Sequence, residues 1–238
     1  HCTRCVRFTE EIAGMQEIAM ANRGEFSEIM PFIGKAVETE LSGNVIDLCP
    51  VGALTSKPFR YDARSWELSR RKTISPHDAL GSNLIVQTKD HTVRRVLPLE
   101  NESINECWIS DRDRFAYEGL YHDGRLKNPK IKHGGEWRDV DWPTALEYVR
   151  HTLECIGKED GQEQIGMWAN PMNTVEELYL AKKLAEGLGI KHVATRLQQQ
   201  DKRLSDGLKG AQWLGQSIED FGNNDAILVI GANLRKEQ

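Results

Sequence analysis

The apolar positions in the second half of the chain predict helices that alternate with short strands. The first helix begins near Asp141, and its apolar residues recur at the spacing of one helical face: Leu146, Val149, Leu153 and Ile156. A short apolar strand is predicted next, at 165–169. Alternation of this kind is typical of an α/β layer.

The same alternation continues toward the end of the chain. Thr174-Val175-Glu176-Glu177 has the form of a capping box, and the helix that it opens is predicted to end at Gly189. A further strand is predicted at 192–194. The run at 226–230 is apolar throughout, which predicts a strand of a parallel sheet that is covered on both faces.

The first half of the chain is predicted to hold shorter elements. Strands at 83–88 and 92–97 are predicted to form a hairpin, whereas 104–115 is predicted to be irregular. Residues 6–20 carry apolar side chains at helical spacing, namely Phe8, Ile12 and Met15.

The composition is that of an ordinary globular protein, and it argues against two classes of function. Of 238 residues, 39% are hydrophobic and 28% are charged, and the formal net charge is −5. An acidic chain argues against nucleic-acid binding, which normally needs a basic patch. No apolar run approaches the ~20 residues that cross a bilayer, so direct membrane insertion is not expected.

Three of the five cysteines form the strongest candidate site. Cys2 and Cys5 make a C-x-x-C pair, and Cys49 is followed at once by Pro50. A close set of cysteines with a remote Cys-Pro is the spacing of ferredoxin-type iron–sulfur ligation. An odd number of unevenly spaced cysteines fits metal ligation in a reducing compartment better than a disulfide framework. The alternative is that all three are buried free thiols of a core.

The neighbours of these cysteines are candidates for shielding and tuning a cluster. Pro50 is predicted to begin a short helix over 51–54, whose first N–H groups would favour a thiolate at Cys49. Arg4 and Arg7 are candidates for lowering the cost of an anionic cluster. An apolar shell is predicted to come from Val6, Phe8, Ile46, Leu48 and Val51.

Three segments of the sequence resemble one known family. They are Cys2-Thr3-Arg4-Cys5-Val6-Arg7-Phe8, the stretch 42–58 with its Asp47-Leu48-Cys49-Pro50-Val51-Gly52-Ala53-Leu54, and Ile109-Ser110-Asp111-Arg112-Asp113-Arg114-Phe115-Ala116-Tyr117. With them the chain resembles the large iron–sulfur subunit of the peripheral arm of respiratory complex I, NADH:quinone oxidoreductase. The resemblance covers the whole chain and is strongest up to Tyr117.

The resemblance implies a [4Fe–4S] cluster held by four cysteines. Cys2, Cys5 and Cys49 match the second, third and fourth ligands, and the position of the first falls before His1. His1 itself stands where the family has no ligand. We therefore expect an internal fragment with an incomplete site, which is inactive alone and is empty or holds a labile cluster.

The resemblance also sets expectations for other cofactors. Some relatives carry an extra cluster beside the hairpin, but here no cysteine lies between 50 and 106, Cys107 is alone, and Ser110 stands at the fourth ligand position. That extra cluster is therefore not expected. After about residue 70 the family resembles molybdopterin oxidoreductases, yet no molybdenum cofactor is expected. Cys155 lies on an apolar stretch of a helix and is predicted to be a core residue.

The predicted fold class is α/β and α+β, in three parts. Residues 1–68 are expected to be the C-terminal part of a [4Fe–4S] ferredoxin-like domain, and 127–238 the start of a molybdopterin-oxidoreductase-like α/β domain. Between them, 69–126 is expected to be a β-rich module that resembles the 4Fe-4S Mo/W bis-MGD-type domain but lacks its cysteines.

The function implied by the resemblance is electron transfer. As part of NADH:quinone oxidoreductase, the subunit would relay single electrons from NADH and flavin through iron–sulfur clusters towards quinone. Its expected partners are the flavin/NADH-binding and iron–sulfur subunits of the peripheral arm, on the cytoplasmic side of the bacterial inner membrane. Two alternatives stay open: part of a molybdopterin oxidoreductase such as a formate dehydrogenase alpha subunit, and a non-catalytic docking scaffold.

Overall fold

The structure, a computed structural model, mixes helices and sheets and divides the chain into two compact units. It describes residues 2–32, 35–196, 207, 209–210 and 213–237. One unit comprises His1–His122 and Leu214–Gln238, and the other comprises Asp123–Trp213. This mixture of elements confirms the predicted fold class.

The first unit begins with short elements that position the three candidate cysteines. Helix α1, Arg4–Arg7, continues into a π-helical turn, Phe8–Ile12, so the segment 6–20 with its apolar residues at helical spacing is helical only as far as Ile12. Strands β1, Ile18–Ala21, and β2, Glu28–Pro31, then form an antiparallel hairpin that the sequence did not predict. Helix α2, Asn44–Leu48, leads directly into Cys49.

A three-stranded antiparallel sheet follows, in the order β3-β4-β5. The predicted hairpin is confirmed as β4, Asn83–Lys89, and β5, Thr92–Pro98. Its turn places Asp90 at φ 51° and His91 at φ 62°, the left-handed values that a tight hairpin turn requires. Strand β3, Ser69–Ile74, was not predicted, because every one of its side chains is exposed and no alternation marks it.

A hydrophobic cluster of this unit joins β4 and β5 to residues on either side of helix α3, Asp111–Phe115. Part of the segment predicted to be irregular is therefore helical, and it begins where the backbone N–H of Asp113 donates to Ser110 Oγ at 3.1 Å. This cluster comprises the buried Leu84, Val96 and Ile109, with the half-buried Val86, Val93 and Tyr117 packed against it.

The second unit opens with a hairpin and a long helix. Strands β6, Lys130–His133, and β7, Glu136–Asp139, are antiparallel. Helix α4, Trp142–Glu159, begins where Asp141 Oδ1 accepts the N–H of Thr144 at 3.1 Å, as the sequence predicted. Helix α4 is also the longest described helix, yet none of the described helices combines the length and apolarity that a membrane crossing requires.

A parallel pair of strands completes the second unit. Strand β8, Gly166–Trp168, helix α5, Val175–Leu188, and strand β9, His192–Ala194, follow one another, and β8 pairs with β9 in parallel. These elements confirm the predicted strand–helix–strand order and the capping box. The core between them consists of Ile165, Ala185 and Ile190, with Leu153, Ile156, Met167 and Leu188 packed around it.

The prediction of a strand at 226–230 is wrong, because the structure forms no strand there. The segment belongs to no ladder among the described residues, and its side chains are exposed, with Leu228 at 84% and Ile230 at 80%. Gly231 at φ 64° then turns the backbone before helix α6, Leu234–Glu237. An apolar run becomes a strand only when neighbouring strands satisfy its backbone groups, and no strand in the described part of the chain is paired with this one.

Candidate metal centre

The three candidate cysteines are placed by the two short helices at the start of the chain. Cys5 lies within α1, Cys2 lies just before it, and Cys49 directly follows α2. Helix α1 contacts α2, which brings the pair of cysteines towards the remote one. Cys5 is buried, Cys49 is half-buried and Cys2 is exposed, and all three are free thiols.

The Cys5 thiol lies in an environment that responds to the other two. Burial is the main cause that raises the pKa of Cys5, and the charges of Cys2 and Cys49 raise it further. Backbone hydrogen bonds to the thiol lower the pKa of Cys5, but each by less than burial raises it. The contact between α1 and α2 thus places Cys49 in the neighbourhood of Cys5, although the two are remote in sequence.

Backbone N–H groups point at the sulfur of Cys49. The N–H groups of Ala53 and Leu54 donate to Cys49 Sγ at 3.2 and 3.5 Å. The hydrogen bond from Leu54 is the largest of the causes that lower the pKa of Cys49. The predicted helix over 51–54 is wrong, since a turn with Gly52 at φ 65° occupies this stretch. The turn nevertheless supplies the N–H groups that the helix was expected to supply.

The predicted apolar shell is formed in part. Phe8 is 3% exposed, and its ring centroid lies 4.9 Å from that of Trp108. Val6, Ile46 and Leu48 are half-buried. Val51 is 81% exposed, so its predicted place in the shell is wrong, because the turn after Cys49 directs it to solvent.

The two arginines beside the pair of cysteines are exposed. Arg7 pairs with Glu11, with Nε and Oε1 2.9 Å apart, so its charge already has a local partner. Arg4 is exposed as well. The expected contribution of Arg7 to an anionic site is therefore reduced by Glu11.

The donor atoms fit an iron–sulfur cluster by their chemistry. Thiolate sulfur is the ligand that such clusters take, and N–H groups aimed at a ligand sulfur tune the cluster. Across the part of the chain that the structure describes, no three His, Cys, Asp or Glu side chains already stand in a metal-holding arrangement. The chemical fit therefore rests on the thiols and the N–H groups at Cys49.

The two other cysteines have different surroundings. Cys107 is exposed, and burial of part of its thiol together with the charge of Glu106 raises its pKa. Cys155, on α4, is half-buried rather than a core residue, with its sulfur 3.6 Å from Nε2 of His151. Both are useful as reference thiols outside the candidate site.

The sequence analysis missed a polar network that joins α2 to α3. Its members include Asn44, which is 1% exposed, Asp111 and Arg114. The carboxylate of Asp111 accepts the N–H of Gly43 at 2.6 Å and the hydroxyl of Ser42 at 2.5 Å. The only signal in the sequence was that both segments carry the family resemblance, and nothing in it indicated that they touch.

A cavity of about 710 Å³, lined by four cationic side chains and by the acidic Asp62 and Glu67, opens beside the Cys49 turn. Arg60, Arg64, Lys89 and Arg95 line it, together with Gly52 and Leu54 of the turn. The guanidinium of Arg95 lies 4.3 Å from the centroid of the Phe59 ring. Burial lowers the pKa of Arg95. Two arginines that follow Cys49 in the sequence, Arg60 and Arg64, therefore line one cavity.

Comparison with known families gives the class of protein: a ferredoxin-like iron–sulfur segment followed by a molybdopterin-oxidoreductase-like segment. Residues 1–55 match the family "NADH-quinone oxidoreductase subunit 3, ferredoxin-like domain". Residues 68–118 match "NADH-ubiquinone oxidoreductase NDSU1/NuoG-like, 4Fe-4S domain", and residues 125–238 match "Molybdopterin oxidoreductase". The class of domain predicted from the cysteine spacing is thereby confirmed.

Similar proteins extend this agreement over the whole chain. The NADH-ubiquinone oxidoreductase 75 kDa subunit of Reclinomonas americana is 41% identical over 250 residues, which cover 100% of this chain and 35% of that protein. An NADH-quinone oxidoreductase subunit of Rickettsia typhi is 37% identical, over 99% of this chain and 34% of that protein. The NADH-ubiquinone oxidoreductase 78 kDa subunit of Candida albicans is 39% identical, over 100% of this chain and 32% of that protein.

Over its whole length the chain is therefore homologous to part of the large iron–sulfur subunit of NADH:quinone oxidoreductases, the resemblance that its sequence predicted. It spans about a third of the length of these curated relatives.

Proposed function

We propose that Cys2, Cys5 and Cys49 are three of the thiolate ligands of a [4Fe–4S] cluster. The observation that carries the proposal is that the backbone N–H groups of Ala53 and Leu54 donate to Cys49 Sγ, within a segment that matches a ferredoxin-like domain. Such a cluster takes four thiolates, so the remaining ligand has to come from elsewhere in the full-length protein.

Each part of the site has its own task in this proposal. Cys5 anchors the buried side, and the pair formed by Phe8 and Trp108 keeps water away from it. At the more exposed side, the N–H groups of Ala53 and Leu54 stabilise negative charge on the sulfur of Cys49. When bound, an iron–sulfur cluster accepts and releases single electrons.

The proposed activity of the full-length protein is electron transfer within NADH:quinone oxidoreductase. It would relay single electrons from NADH and flavin towards quinone, as one subunit of that enzyme. The names of the relatives support this proposal, because all those described above are NADH-quinone or NADH-ubiquinone oxidoreductase subunits. No observation specifically favours the formate dehydrogenase alternative.

The experiment that tests the cluster is electron paramagnetic resonance of the full-length protein after anaerobic reconstitution with iron and sulfide. We expect Cys49→Ala to remove or severely weaken one [4Fe–4S] signal, whereas Cys155→Ala leaves the spectrum unchanged. Cys155 is a suitable control because it is a free, half-buried thiol in the other unit. An unchanged spectrum in Cys49→Ala would contradict the proposal that Cys49 is a ligand of the cluster.

The proposed partners are the flavin/NADH-binding and iron–sulfur subunits of the peripheral arm, on the cytoplasmic side of the bacterial inner membrane. Exposed apolar side chains on α4 and α5 support a docking role for the second unit, among them Leu146 at 61%, Leu180 at 62% and Leu184 at 55%. We expect the double variant Leu180→Glu/Leu184→Glu to co-purify with fewer of these subunits than Glu176→Gln, an exposed control on the same helix. Equal recovery would argue against docking through α5.

A further inference from the structure

Arg114 is a buried cation that faces the helix leading to Cys49. Its side chain is 4% exposed, and its Nη2 donates to Asp47 Oδ2 at 2.7 Å and to Asn44 Oδ1 at 3.1 Å. Both acceptors lie on α2, and Cys49 follows the last residue of that helix. One guanidinium on α3 therefore holds the first and fourth residues of α2.

The contact between α2 and α3 is closely packed. A Cβ atom on Gly43 would lie 2.5 Å from Arg114 Cδ and 2.9 Å from Asp111 Oδ1, so only glycine fits there. Asp111 fixes the start of α2 from the other side by accepting the N–H of Gly43. The position of α2 is therefore set by contacts with α3 in addition to its own short turn.

The end of α2 sets the backbone at Cys49. The N–H of Cys49 donates to Val45 O at 3.2 Å, and Cys49 then adopts an extended conformation with ψ 104°. From there the chain turns so that Ala53 and Leu54 reach the same sulfur. A shift of α2 would therefore move the sulfur of Cys49 together with its hydrogen-bond donors.

We infer that Arg114 is a positioning residue for Cys49: by holding Asp47 and Asn44 it fixes where α2 delivers this thiolate to the cluster. The inference rests on the proposed function, because it assumes that Cys49 is a cluster ligand. Groups that orient a metal ligand from behind typically change metal affinity by about 10- to 100-fold when they are removed. Arg114 orients its ligand through a helix, so the effect is expected in that range or somewhat below it.

Asp113 provides a matched control on the same helix. It is adjacent to Arg114, is also 4% exposed, and is hydrogen-bonded to Ser75 Oγ at 2.5 Å rather than to α2. A variant of Asp113 disturbs α3 without removing a contact to the helix that carries Cys49. A general loss of α3 structure and a specific loss of Cys49 positioning can therefore be distinguished.

The test uses the full-length protein, reconstituted anaerobically, in wild-type, Arg114→Ala, Asp113→Ala and Cys49→Ala forms. The readouts are the g values and midpoint potential of the [4Fe–4S] signal and the loss of iron during challenge with a chelator. In Arg114→Ala we expect changed g values or a changed midpoint potential of the [4Fe–4S] signal, and about 10-fold faster loss of iron to the chelator. We expect Asp113→Ala to keep the wild-type signal. If Arg114→Ala does not fold, Asp47→Asn removes the same ion pair at a side chain that is 35% exposed.

The outcomes separate the inference from the proposed function. A wild-type signal in folded Arg114→Ala or Asp47→Asn, with Cys49→Ala abolishing it, would overturn the inference alone. Equal changes in Arg114→Ala and Asp113→Ala would overturn it as well, because they would indicate a general effect of α3. If Cys49→Ala leaves the signal unchanged, the proposed function itself fails, and the inference fails with it.

Discussion

Asn44 and Ile109 exchange two hydrogen bonds although they are 65 positions apart in the sequence. Asn44 Nδ2 donates to Ile109 O at 2.8 Å, and the N–H of Ile109 donates to Asn44 Oδ1 at 3.2 Å. The pair is buried, and it ties the segment before Cys49 to the core strand–helix connection of the first unit. The remaining contacts between α2 and α3 surround it.

The first prediction concerns Asn44→Ala. The change removes both bonds to Ile109 and those to Leu41 O and Arg114, and it leaves buried backbone groups without partners. We expect the free energy of unfolding of the first unit to fall by about 3 kcal/mol. Urea unfolding followed by circular dichroism measures it, with the exposed Ser103→Ala as a control that should change little. A loss no larger than that of the control would show that the pair is dispensable.

The second prediction concerns Gly43→Ala. The backbone of Gly43, at φ −65° and ψ −18°, accepts any residue, so the cost is purely steric. The new methyl group would overlap Arg114 Cδ and Asp111 Oδ1, and moving Arg114 aside would break its pair with Asp47. We expect a loss of about 2 kcal/mol. Gly119→Ala is the control, since a Cβ there meets nothing within 4 Å, and a similar loss in both variants would contradict the steric account.

The third prediction is a pH dependence due to Asp113. Burial raises the pKa of its carboxyl above the ordinary value of 3.8, despite the hydrogen bond from Ser75 that acts in the lowering direction. A carboxyl group whose pKa is higher in the folded than in the unfolded protein adds stability at pH values below the unfolded value of 3.8. That contribution is lost as the pH rises through the pKa of the folded protein. We therefore expect the stability of the wild type relative to Asp113→Asn to fall as the pH rises.

The measurement is a series of thermal unfolding curves of the wild type and of Asp113→Asn, at pH values from below 3.8 upwards. Taking the difference between them cancels the contribution of all other titrating groups. A difference that stays constant, or that grows with pH, is the result that the burial of Asp113 does not allow.

The fourth prediction concerns the start of α5. Thr174 Oγ1 accepts the N–H of Glu177 at 3.2 Å, and Glu177 Oε2 accepts the N–H of Thr174 at 3.0 Å. We expect Thr174→Ala to cost about 1 kcal/mol and Thr174→Ser, which keeps the hydroxyl, to cost much less. Hydrogen exchange of the first amides of α5 reports the effect locally. Equal protection in the two variants would mean that the capping box contributes nothing.

The elements that the sequence predicted are those with local signals. Helix α5 has a capping box at its start and Gly189 at φ 67° at its end, and the turn between β4 and β5 lies between two clear strand patterns. Strand β3 has no alternation of apolar and polar residues, because all of its side chains are exposed. It forms a strand because it pairs with β4. The run at 226–230 has a strong local signal but no paired neighbour among the described residues, and so it does not become a strand.

The sequence predicted the candidate cysteines, the N–H groups at Cys49 and part of the apolar shell, but not the contacts between α2 and α3. The spacing of Cys2, Cys5 and Cys49 is visible in the sequence, but the contacts that hold Cys49 depend on residues such as Arg114, which lies 67 positions from Asp47. Side chains this far apart in sequence meet only because the fold brings α3 against α2. Their partners therefore become visible only in three dimensions.

The most direct test of the central claim is the iron and sulfide content of the full-length protein in single cysteine variants. We expect Cys2→Ala, Cys5→Ala and Cys49→Ala each to lose the iron and sulfide of one four-iron cluster, whereas Cys107→Ala and Cys155→Ala keep the wild-type content. The first three share one ligand set in this account, so their losses should be equal. A wild-type content of iron and sulfide in Cys49→Ala would contradict the assignment of the site.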